Sequence, residues 1–282
     1  MSLLNDLKGI STAPENRFEL VHGFAGSGKT TFIGTYPKPL LLVEIGADGG
    51  SAVLKNYSDK EVQRIAIPSD DNIIKNVLDL LNEIDKNGKE FATIVFDTYS
   101  AIQDICVSEL EKEKGKKLSQ QEWGQVGGYM ELIKNKIADL SSRPDRNTIF
   151  IAVLHSKIVQ GTDRMDGTEY SITYPKLTRN NADKLSEKAR SIIFMTRKNY
   201  IDDDGEIKVG YYSYIGAMPT ILTKFRTVDK KIESGFFIKD CTFEKLNALR
   251  NGTKTKEELA ATNIIEPKNT DIDEDTSPFA EE

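Results

Sequence analysis

The sequence predicts an α/β fold with a mostly parallel β-sheet and helices on both of its faces. Over the first 155 residues, short apolar segments alternate with longer amphipathic ones, which is the pattern of a parallel sheet with connecting helices. The predicted strand Leu40–Ile45 is apolar apart from Glu44, as expected when helices cover both faces of a sheet. Further along, the turn signal at Asp202–Gly205 lies between two strand-like segments and predicts an antiparallel extension toward the C-terminus.

The other elements follow from periodicity and turn residues. Apolar residues between Ile73 and Ile84 recur at spacings of three and four, which predicts a helix that Ser69 or Asp70 caps. The segment Lys157–Thr178 has no clear period, so we expect a long loop there, with a hairpin as the alternative. The remaining predicted strands are Phe18–His22, Phe91–Phe96, Thr148–Leu154, Ser191–Arg197 and Lys208–Ile215. The remaining predicted helices are Lys29–Thr35, the segment that ends near Glu113, Gln121–Leu140, Ala182–Arg190, Phe243–Arg250 and Lys256–Ala261.

Composition excludes several classes of protein. With 282 residues, 38% of them hydrophobic, the chain can form a core, so wholesale disorder is excluded. Two cysteines, Cys106 and Cys241, are too few for a secreted disulfide framework and indicate a cytoplasmic protein. The longest apolar run, Ile149–Leu154, is far shorter than the roughly 20 residues of a transmembrane helix, and residues 1–10 show no signal peptide. We therefore expect no membrane partner.

The net charge of −6 is confined to the C-terminal end. Residues 266–282 contain seven carboxylates and one lysine, so they account for the whole net charge. We expect this acidic tail to be disordered, because it has too few apolar residues to offset the entropy of ordering. It is either a solubility tail or a peptide that binds a basic partner. The expected division of the chain is an N-terminal arm (1–14), one large domain (15–250), a short helical segment (251–265) and the tail (266–282).

The most specific feature of the sequence is a phosphate-binding loop. The segment Gly23–Thr30 matches G-x-x-x-x-G-K-[ST] at every fixed position, between a predicted strand and a predicted helix. Its glycines allow backbone N–H groups to surround a phosphate, and the helix N-terminus adds partial positive charge. Lys29 brings a full charge to the β- and γ-phosphates, and the Thr30 hydroxyl is a ligand for Mg²⁺. We therefore expect ATP and Mg²⁺ as cofactors, with nucleotide contacts from Gly23, Phe24, Ala25, Gly26, Ser27, Gly28, Lys29, Thr30 and Thr31.

Three acidic or polar residues at strand ends are candidates for the rest of the chemistry. The apolar segment Phe91–Asp97 has the form of the second nucleotide-binding motif, whose aspartate helps to hold Mg²⁺; the alternative is that Asp97 caps a helix. Glu44, with Asp48 behind it, is the candidate that orients the attacking water, or else an ordinary strand-end acid. His155 is either a sensor of the γ-phosphate or a structural histidine. In ATPase sheets, the strand that precedes such a polar residue commonly lies between the strand that leads to the lysine motif and the strand that leads to the aspartate motif.

The order of these features resembles that of RecA-type P-loop ATPases. More narrowly, residues 15–240 are similar to the short phage-encoded RecA-core ATP-binding proteins that include single-strand annealing recombinases. The resemblance implies a RecA-like core that hydrolyses ATP and acts on single-stranded DNA in the cytoplasm of a bacterial host. It also implies a homo-oligomer, ring or filament, with ATP at subunit interfaces. The similar segments are Phe18–Thr31, Pro39–Gly50, Phe91–Ser100, Glu122–Tyr129, Ile149–Lys157 and, more loosely, Pro175–Arg197.

The resemblance has two consequences for catalysis. It implies a basic residue supplied in trans, for which Lys224 and Arg226 are the candidates, with plain surface charge as the alternative. RecA-type proteins also tend to end the second strand in an Asp-x-Glu pattern whose glutamate polarises water. If Glu44 aligns with that aspartate, Gly46 takes the catalytic position, and hydrolysis is slow or depends on Asp48.

Two basic loops are candidates for contact with DNA, since cations bind phosphates and aromatic rings stack on bases. One is Lys112–Lys117, which leads to Trp123, and the other is Lys157–Arg179, which includes tyrosines; both are alternatively solvated surface loops. The tail segment Asp271–Phe279 is similar to the acidic tip of single-stranded-DNA-binding proteins and is a candidate contact for such a protein or another basic partner. The alternative functions are another P-loop ATPase of DNA metabolism, namely a helicase loader, packaging or partition factor, and a nucleoside or nucleotide kinase.

Overall fold

A ten-stranded β-sheet organises the computed structural model of the chain, which describes residues 16–46, 50–68, 72–162, 168–202, 204–226 and 234–261. The strands are β1 (Phe18–Gly23), β2 (Leu40–Ile45), β3 (Val62–Ile67), β4 (Thr93–Asp97), β5 (Ile149–Thr162), β6 (Glu169–Pro175), β7 (Ser191–Ile201), β8 (Ile207–Ile215), β9 (Lys224–Phe225) and β10 (Phe236–Lys239). The helices are α1 (Lys29–Ile33), α2 (Ile73–Asn87), α3 (Tyr99–Lys114), α4 (Gln120–Ser141), α5 (Arg179–Lys188), α6 (Phe243–Arg250) and α7 (Lys256–Leu259), with a 3₁₀ helix at Gly50–Leu54.

The strand order is β10-β8-β7-β1-β5-β4-β2-β3, with β6 paired to β5 and β9 to β7. The six strands from β7 to β3 are parallel, and β8 and β10 extend the sheet in antiparallel fashion. This confirms the α/β class, the parallel sheet and the antiparallel extension. Strand β5 lies between β1 and β4, so the strand that carries the candidate sensor His155 separates the strands that carry the lysine and aspartate motifs.

Hydrophobic side chains cover both faces of the sheet, as the predicted class requires. Helices α2, α3, α4 and α5 pack on one face against residues such as Leu20, Phe96 and Phe150. Helices α1, α6 and α7 and the 3₁₀ helix pack on the other face, which includes Val21 and Val153. The short helical segment that begins at residue 251 is part of this second layer through α7. In the part of the chain that the structure describes, no helix has the length and hydrophobicity needed to cross a lipid bilayer.

A buried ionic cluster joins β1 to helix α6. The Glu19 side chain is fully buried and accepts hydrogen bonds from Arg190 at 2.6 Å, Arg250 at 2.7 Å and the Tyr36 hydroxyl at 2.7 Å. Burial opposes ionisation of Glu19, but the charges of Arg250 and Arg190 and the Tyr36 hydrogen bond outweigh it and lower the pKa of the carboxyl. The cluster fixes the strand that leads into the phosphate loop.

Two parts of the sequence prediction need correction. The segment Lys157–Thr178 is not a long loop: β5 continues to Thr162 and pairs with β6, so the alternative, a hairpin, is confirmed. Strand β3 was not predicted, because at the sheet edge its side chains are mostly exposed and form no apolar run. Helix α2 is confirmed, but its N-cap is Asn72, so the prediction that Ser69 or Asp70 caps it is wrong. Ser69 and Asp70 lie outside the described residues, as do residues 1–15 and the acidic tail.

Candidate nucleotide site

The phosphate loop has the backbone conformation that its glycines permit. Gly26 and Gly28 have φ angles of 69° and 86°, in the left-handed region that favours glycine. A β-carbon on Gly23 would lie 2.4 Å from the backbone oxygen of Met195, and one on Gly28 would lie 2.9 Å from the Tyr211 ring. Only glycine therefore fits at Gly23 and Gly28. The loop is consequently held between the end of β1, the start of α1 and the β7–β8 pair.

Lys29 begins α1 and points back into the loop. Its side chain is largely buried, and its amine donates hydrogen bonds to the carbonyl oxygens of Gly23 and Phe24, both at 2.9 Å. These bonds hold the charged group over the concave side of the loop. A phosphate at this place meets a full positive charge as well as the N–H groups at the start of α1.

Thr30 and Asp97 come together across the end of the sheet. The Thr30 hydroxyl donates a hydrogen bond to Asp97 Oδ2 at 3.2 Å, and the Asp97 side chain is mostly buried. A hydroxyl and a carboxylate at this distance fit an Mg²⁺ ion and its water shell, since oxygen donors are the ligands that Mg²⁺ prefers. Helix α3 takes Thr98 as its N-cap, so the alternative that Asp97 caps that helix is wrong.

A cavity of about 610 Å³ opens above the loop. Of the residues predicted to contact nucleotide, those from Ala25 to Thr31 line it, together with Asp97 and His155. Gly23, the last residue of β1, and Phe24 are not among the residues that line the cavity; the Phe24 ring is exposed and packs edge-to-face on Phe194. The other lining residues include Val53, Thr98, Met195, Tyr211, Asp240, Cys241 and Thr242.

Two histidines lie beside the site in different environments. His155, at the point where β5 leaves the core, also lines a second cavity of about 350 Å³ with Gly46 and Thr98. His22 is buried on β1; its Nε2 lies 2.8 Å from the Leu222 carbonyl oxygen and its Nδ1 lies 2.9 Å from Ser156 Oγ. Burial, with the nearby Lys29 charge, lowers the pKa of His22 to about 4. The neutral ring therefore donates from Nε2 to the carbonyl and accepts at Nδ1 from the serine.

Glu44 lies opposite Asp97 in the pairing of β2 with β4. Its Oε2 forms an ion pair with Arg64 Nε at 2.7 Å, while Oε1 is buried with no hydrogen-bond partner among the described residues. Gly46, two residues further, has a φ angle of 79° and lines the second cavity, and Asp48 lies outside the described residues.

Lys224 and Arg226 lie away from the loop of their own chain. Lys224 on β9 pairs with Ile192 near the start of β7, whereas the phosphate loop follows the opposite end of the parallel strands. Its amine donates to the backbone carbonyl oxygens of Ser186, at 3.2 Å, and Glu187, at 3.4 Å. The structure thus brings together the loop residues, Asp97 and His155, but not these two cations.

The residues of the β7–β8 pair and of the β10–α6 connection were missed by the sequence prediction. Met195 and Tyr211 reach the loop through the register of β7 on β1 and of β8 on β7. Asp240 and Cys241 come from the end of β10. No short motif marks these positions, because their proximity depends on pairing between strands that are distant in sequence.

The fold and this site define a P-loop ATPase: a parallel sheet with an extra strand between the lysine and aspartate strands, and a loop built to bind nucleotide phosphates. The chain belongs to the family described as "AAA domain", whose model matches residues 16–230. It accordingly uses ATP with Mg²⁺ and hydrolyses ATP. No curated protein matches the chain.

Solved structures similar to this chain are distant in sequence. An ATPase from the type III secretion system of pathogenic bacteria shares 10% identity, with a TM-score of 0.44, over 64% of this chain and 51% of that one. The Legionella pneumophila ATPase DotB shares 10% identity, with a TM-score of 0.33, over 78% and 48%. The P4 protein of bacteriophage φ6, in complex with ADP, shares 12% identity, with a TM-score of 0.33, over 84% and 68%. The chain thus spans about half the length of the first two.

Proposed function

We propose that this ATPase acts on single-stranded DNA in phage-type recombination or strand annealing. The observation that carries the proposal is the continuity of β5. Its buried half ends at His155 in the nucleotide cavity, and its exposed half forms the β5–β6 hairpin. The His155 carbonyl oxygen accepts a hydrogen bond of 2.6 Å from the backbone N–H of Lys176, where the hairpin returns. A change at the γ-phosphate is therefore transmitted along one strand to a surface suited to DNA.

The hairpin presents apolar and aromatic side chains to solvent. Tyr170 and Ile158 are 38% and 59% exposed, and the Tyr170 ring lies across Gly161, where a β-carbon would come within 2.6 Å of it. We propose that Tyr170 stacks on a base, a contact that accepts every base. Lys157 and Lys176 have structural contacts at the hairpin base, to the Leu177 carbonyl and to Asp104, and Arg164 lies outside the described residues.

The second proposed DNA contact is the turn between α3 and α4. Its side chains from Lys112 to Lys117 are exposed, and Trp123, in the first turn of α4, is 39% exposed. The Glu109 side chain on α3 accepts a hydrogen bond from the backbone N–H of Ile73 at the start of α2. This end of α3 therefore lies near the edge of the sheet at which the parallel strands have their C-terminal ends. The turn and the hairpin are thus on the same side of the sheet as the nucleotide site.

For the hydrolysis step we propose the following residue roles. Lys29 binds the β- and γ-phosphates, and Thr30 and Asp97 hold Mg²⁺, which neutralises phosphate charge when bound. His155 donates a hydrogen bond toward the γ-phosphate as its sensor. Glu44 orients the attacking water. Its position opposite Asp97 supports this role, as does its buried Oε1, which has no hydrogen-bond partner among the described residues.

We also propose a homo-oligomer with ATP at subunit interfaces and with Lys224 or Arg226 supplied in trans. Arg226 is exposed, and both residues are remote from the phosphate loop of their own chain. In the proposed oligomer they therefore contact the nucleotide that is bound to a neighbouring subunit. A trans cation stabilises the charge that builds up on the transferred phosphoryl group. Mass photometry with ATP and with ADP tests this proposal: ATP-dependent assembly supports it, and a monomer in both states contradicts it.

We propose that the acidic tail restrains DNA binding or binds a basic partner, such as the basic surface of a single-stranded-DNA-binding protein. Its charge equals the whole net charge of the chain, so its removal leaves a neutral body with local basic surfaces. Deletion of residues 266–282 is expected to raise DNA affinity at low salt, with the gain shrinking as salt screens the tail. Unchanged affinity at low salt leaves only a role in solubility.

Fluorescence anisotropy of labelled oligothymidylate tests the DNA proposal. We expect binding in the presence of a slowly hydrolysed ATP analogue, weakened about tenfold by Tyr170→Ala, since stacking contributes roughly 1–3 kcal/mol per base. Tyr170→Phe keeps the ring and is the matched control, with wild-type affinity expected. Absence of binding in every nucleotide state at low salt contradicts the proposal and favours an ATPase of another class.

A further inference from the structure

We propose that Arg197 is a catalytic residue of ATP hydrolysis that contacts the terminal phosphates bound in its own chain. Strand β7 is paired with β1 up to Gly23 and Met195, where β1 ends and the phosphate loop begins. It then continues past the loop, paired with β8. Arg197 is two residues beyond Met195 and therefore on the same face of β7, the face that lines the nucleotide cavity through Met195.

The Arg197 guanidinium lies next to the middle of the phosphate loop. A β-carbon built on Gly26 would lie 3.8 Å from Arg197 Cζ and 3.9 and 4.0 Å from its two terminal nitrogens. The guanidinium group therefore lies within van der Waals distance of the segment whose N–H groups surround phosphate. Tyr211, directly opposite Arg197 in the β7–β8 register, packs against Gly28 and holds this part of the hairpin on the loop.

Arg197 is exposed, and among the residues that the structure describes no carboxylate forms an ion pair with it. By contrast, Arg190 and Arg250 are both bonded to the Glu19 carboxylate. A guanidinium presents five donors in a planar fork that matches phosphate oxygens, and it keeps its charge at any working pH. Arg197 therefore has the chemistry and the position of a phosphate ligand.

The sheet order places Arg197 and the metal-binding pair on opposite sides of the loop. Asp97 is on β4, two strands from β1 in one direction, and Arg197 is on β7, one strand from β1 in the other. Adjacent strands are about 4.8 Å apart, so the bound phosphates lie between the two groups. In hydrolysis, the water oxygen bonds to the γ-phosphorus and the bond from that phosphorus to the β–γ bridging oxygen breaks. The electron pair of the broken bond leaves with ADP, and the proton that the water loses passes to a phosphate oxygen. Arg197 donates hydrogen bonds to the oxygens on which that charge develops, and transfers no proton.

The inference concerns the ATPase reaction and does not depend on the proposed DNA function. Steady-state ATPase kinetics and titration with fluorescent ADP are measured for Arg197→Ala, Arg197→Gln and Arg197→Lys. We expect kcat to fall at least tenfold in the Ala and Gln variants, with ADP affinity within threefold of wild type and partial recovery of kcat in the Lys variant. Lys208→Ala removes one charge from the opposite face of the same hairpin and is expected to leave kcat within twofold.

Two outcomes overturn the inference. One is a kcat within twofold of wild type in both the Ala and Gln variants. The other is an ADP affinity that falls as much as kcat, which indicates that Arg197 only supports the loop. Mixing Arg197→Ala chains with Lys29→Ala chains separates cis from trans action: we expect no recovery of activity, because neither chain has a complete site, and recovery would contradict a cis role.

Discussion

Replacing Glu19 by glutamine is expected to destabilise the fold strongly. The Glu19 carboxylate is 0% exposed and neutralises Arg190 and Arg250, whose side chains are 10% and 9% exposed. Glu19→Gln keeps the shape and a hydrogen-bond acceptor but removes the buried negative charge with which these two largely buried cations pair. Breaking one buried pair costs about 3–5 kcal/mol, so we expect a loss of that size in the free energy of unfolding.

Urea denaturation followed by circular dichroism measures this loss, and Asp145→Asn is the matched control. Asp145 pairs with Lys89 at 2.5 Å, but both side chains are more than half exposed, so its replacement is expected to leave the free energy of unfolding close to that of wild type. A cost below about 1 kcal/mol for Glu19→Gln, at unchanged slope of the transition, would refute the buried-cluster reasoning.

The same variant has a pH signature. Because the folded-state pKa of Glu19 is lowered, its contribution to stability is complete above the carboxyl's ordinary pKa of 4.5. It is lost as the pH falls through the lowered folded-state pKa. The stability difference between wild type and Glu19→Gln is therefore constant near neutral pH and shrinks below about 4.5. A difference that grows on acidification contradicts the assignment.

Three further outcomes are expected. The pKa of His22 is lowered from 6.5 to about 4 in the folded protein, so at pH values between 4 and 6.5 unfolding is accompanied by proton binding to His22. The free energy of unfolding is therefore expected to fall by about 3 kcal/mol as the pH drops from 6.5 to 4. Denaturation at a series of pH values shows whether His22→Gln removes this pH dependence. Gly28→Ala is expected to weaken fluorescent-ATP binding at least tenfold, because it combines left-handed backbone strain with a 2.9 Å contact between the new β-carbon and the Tyr211 ring. The control is Gly115→Ala, at a φ angle of 64° with no atom within 4 Å of the new carbon. It is expected to cost about 1–2 kcal/mol of stability without changing ATP binding. Asp97→Asn is expected to abolish the Mg²⁺ dependence of ATP binding while leaving Mg²⁺-free binding intact, and an unchanged Mg²⁺ titration would remove Asp97 from the metal site.

The features predicted correctly from sequence are those that local chemistry determines. The phosphate loop is recognisable because the left-handed backbone at Gly26 and Gly28 and the charge at Lys29 are properties of consecutive residues. The buried strands that lead to Gly23 and Asp97 are recognisable as apolar runs between turn or helix signals.

The features that sequence did not reveal depend on long-range pairing. The exposed half of β5 is a strand only because β6 pairs with it, and its side chains alternate in solvent rather than forming an apolar run. Arg197 approaches Gly26 because of the register of β7 on β1, and Glu19 finds partners 171 and 231 residues away. No local pattern encodes these contacts.

We propose that ATP hydrolysis at this loop is coupled to single-stranded DNA through the β5–β6 hairpin. The direct measurement is steady-state ATPase turnover at low salt with and without oligothymidylate, for wild type and for Tyr170→Ala. We expect DNA to stimulate turnover in wild type, and we expect the Tyr170→Ala variant to keep its basal rate but to lose the stimulation. A wild-type rate that DNA leaves unchanged would contradict it.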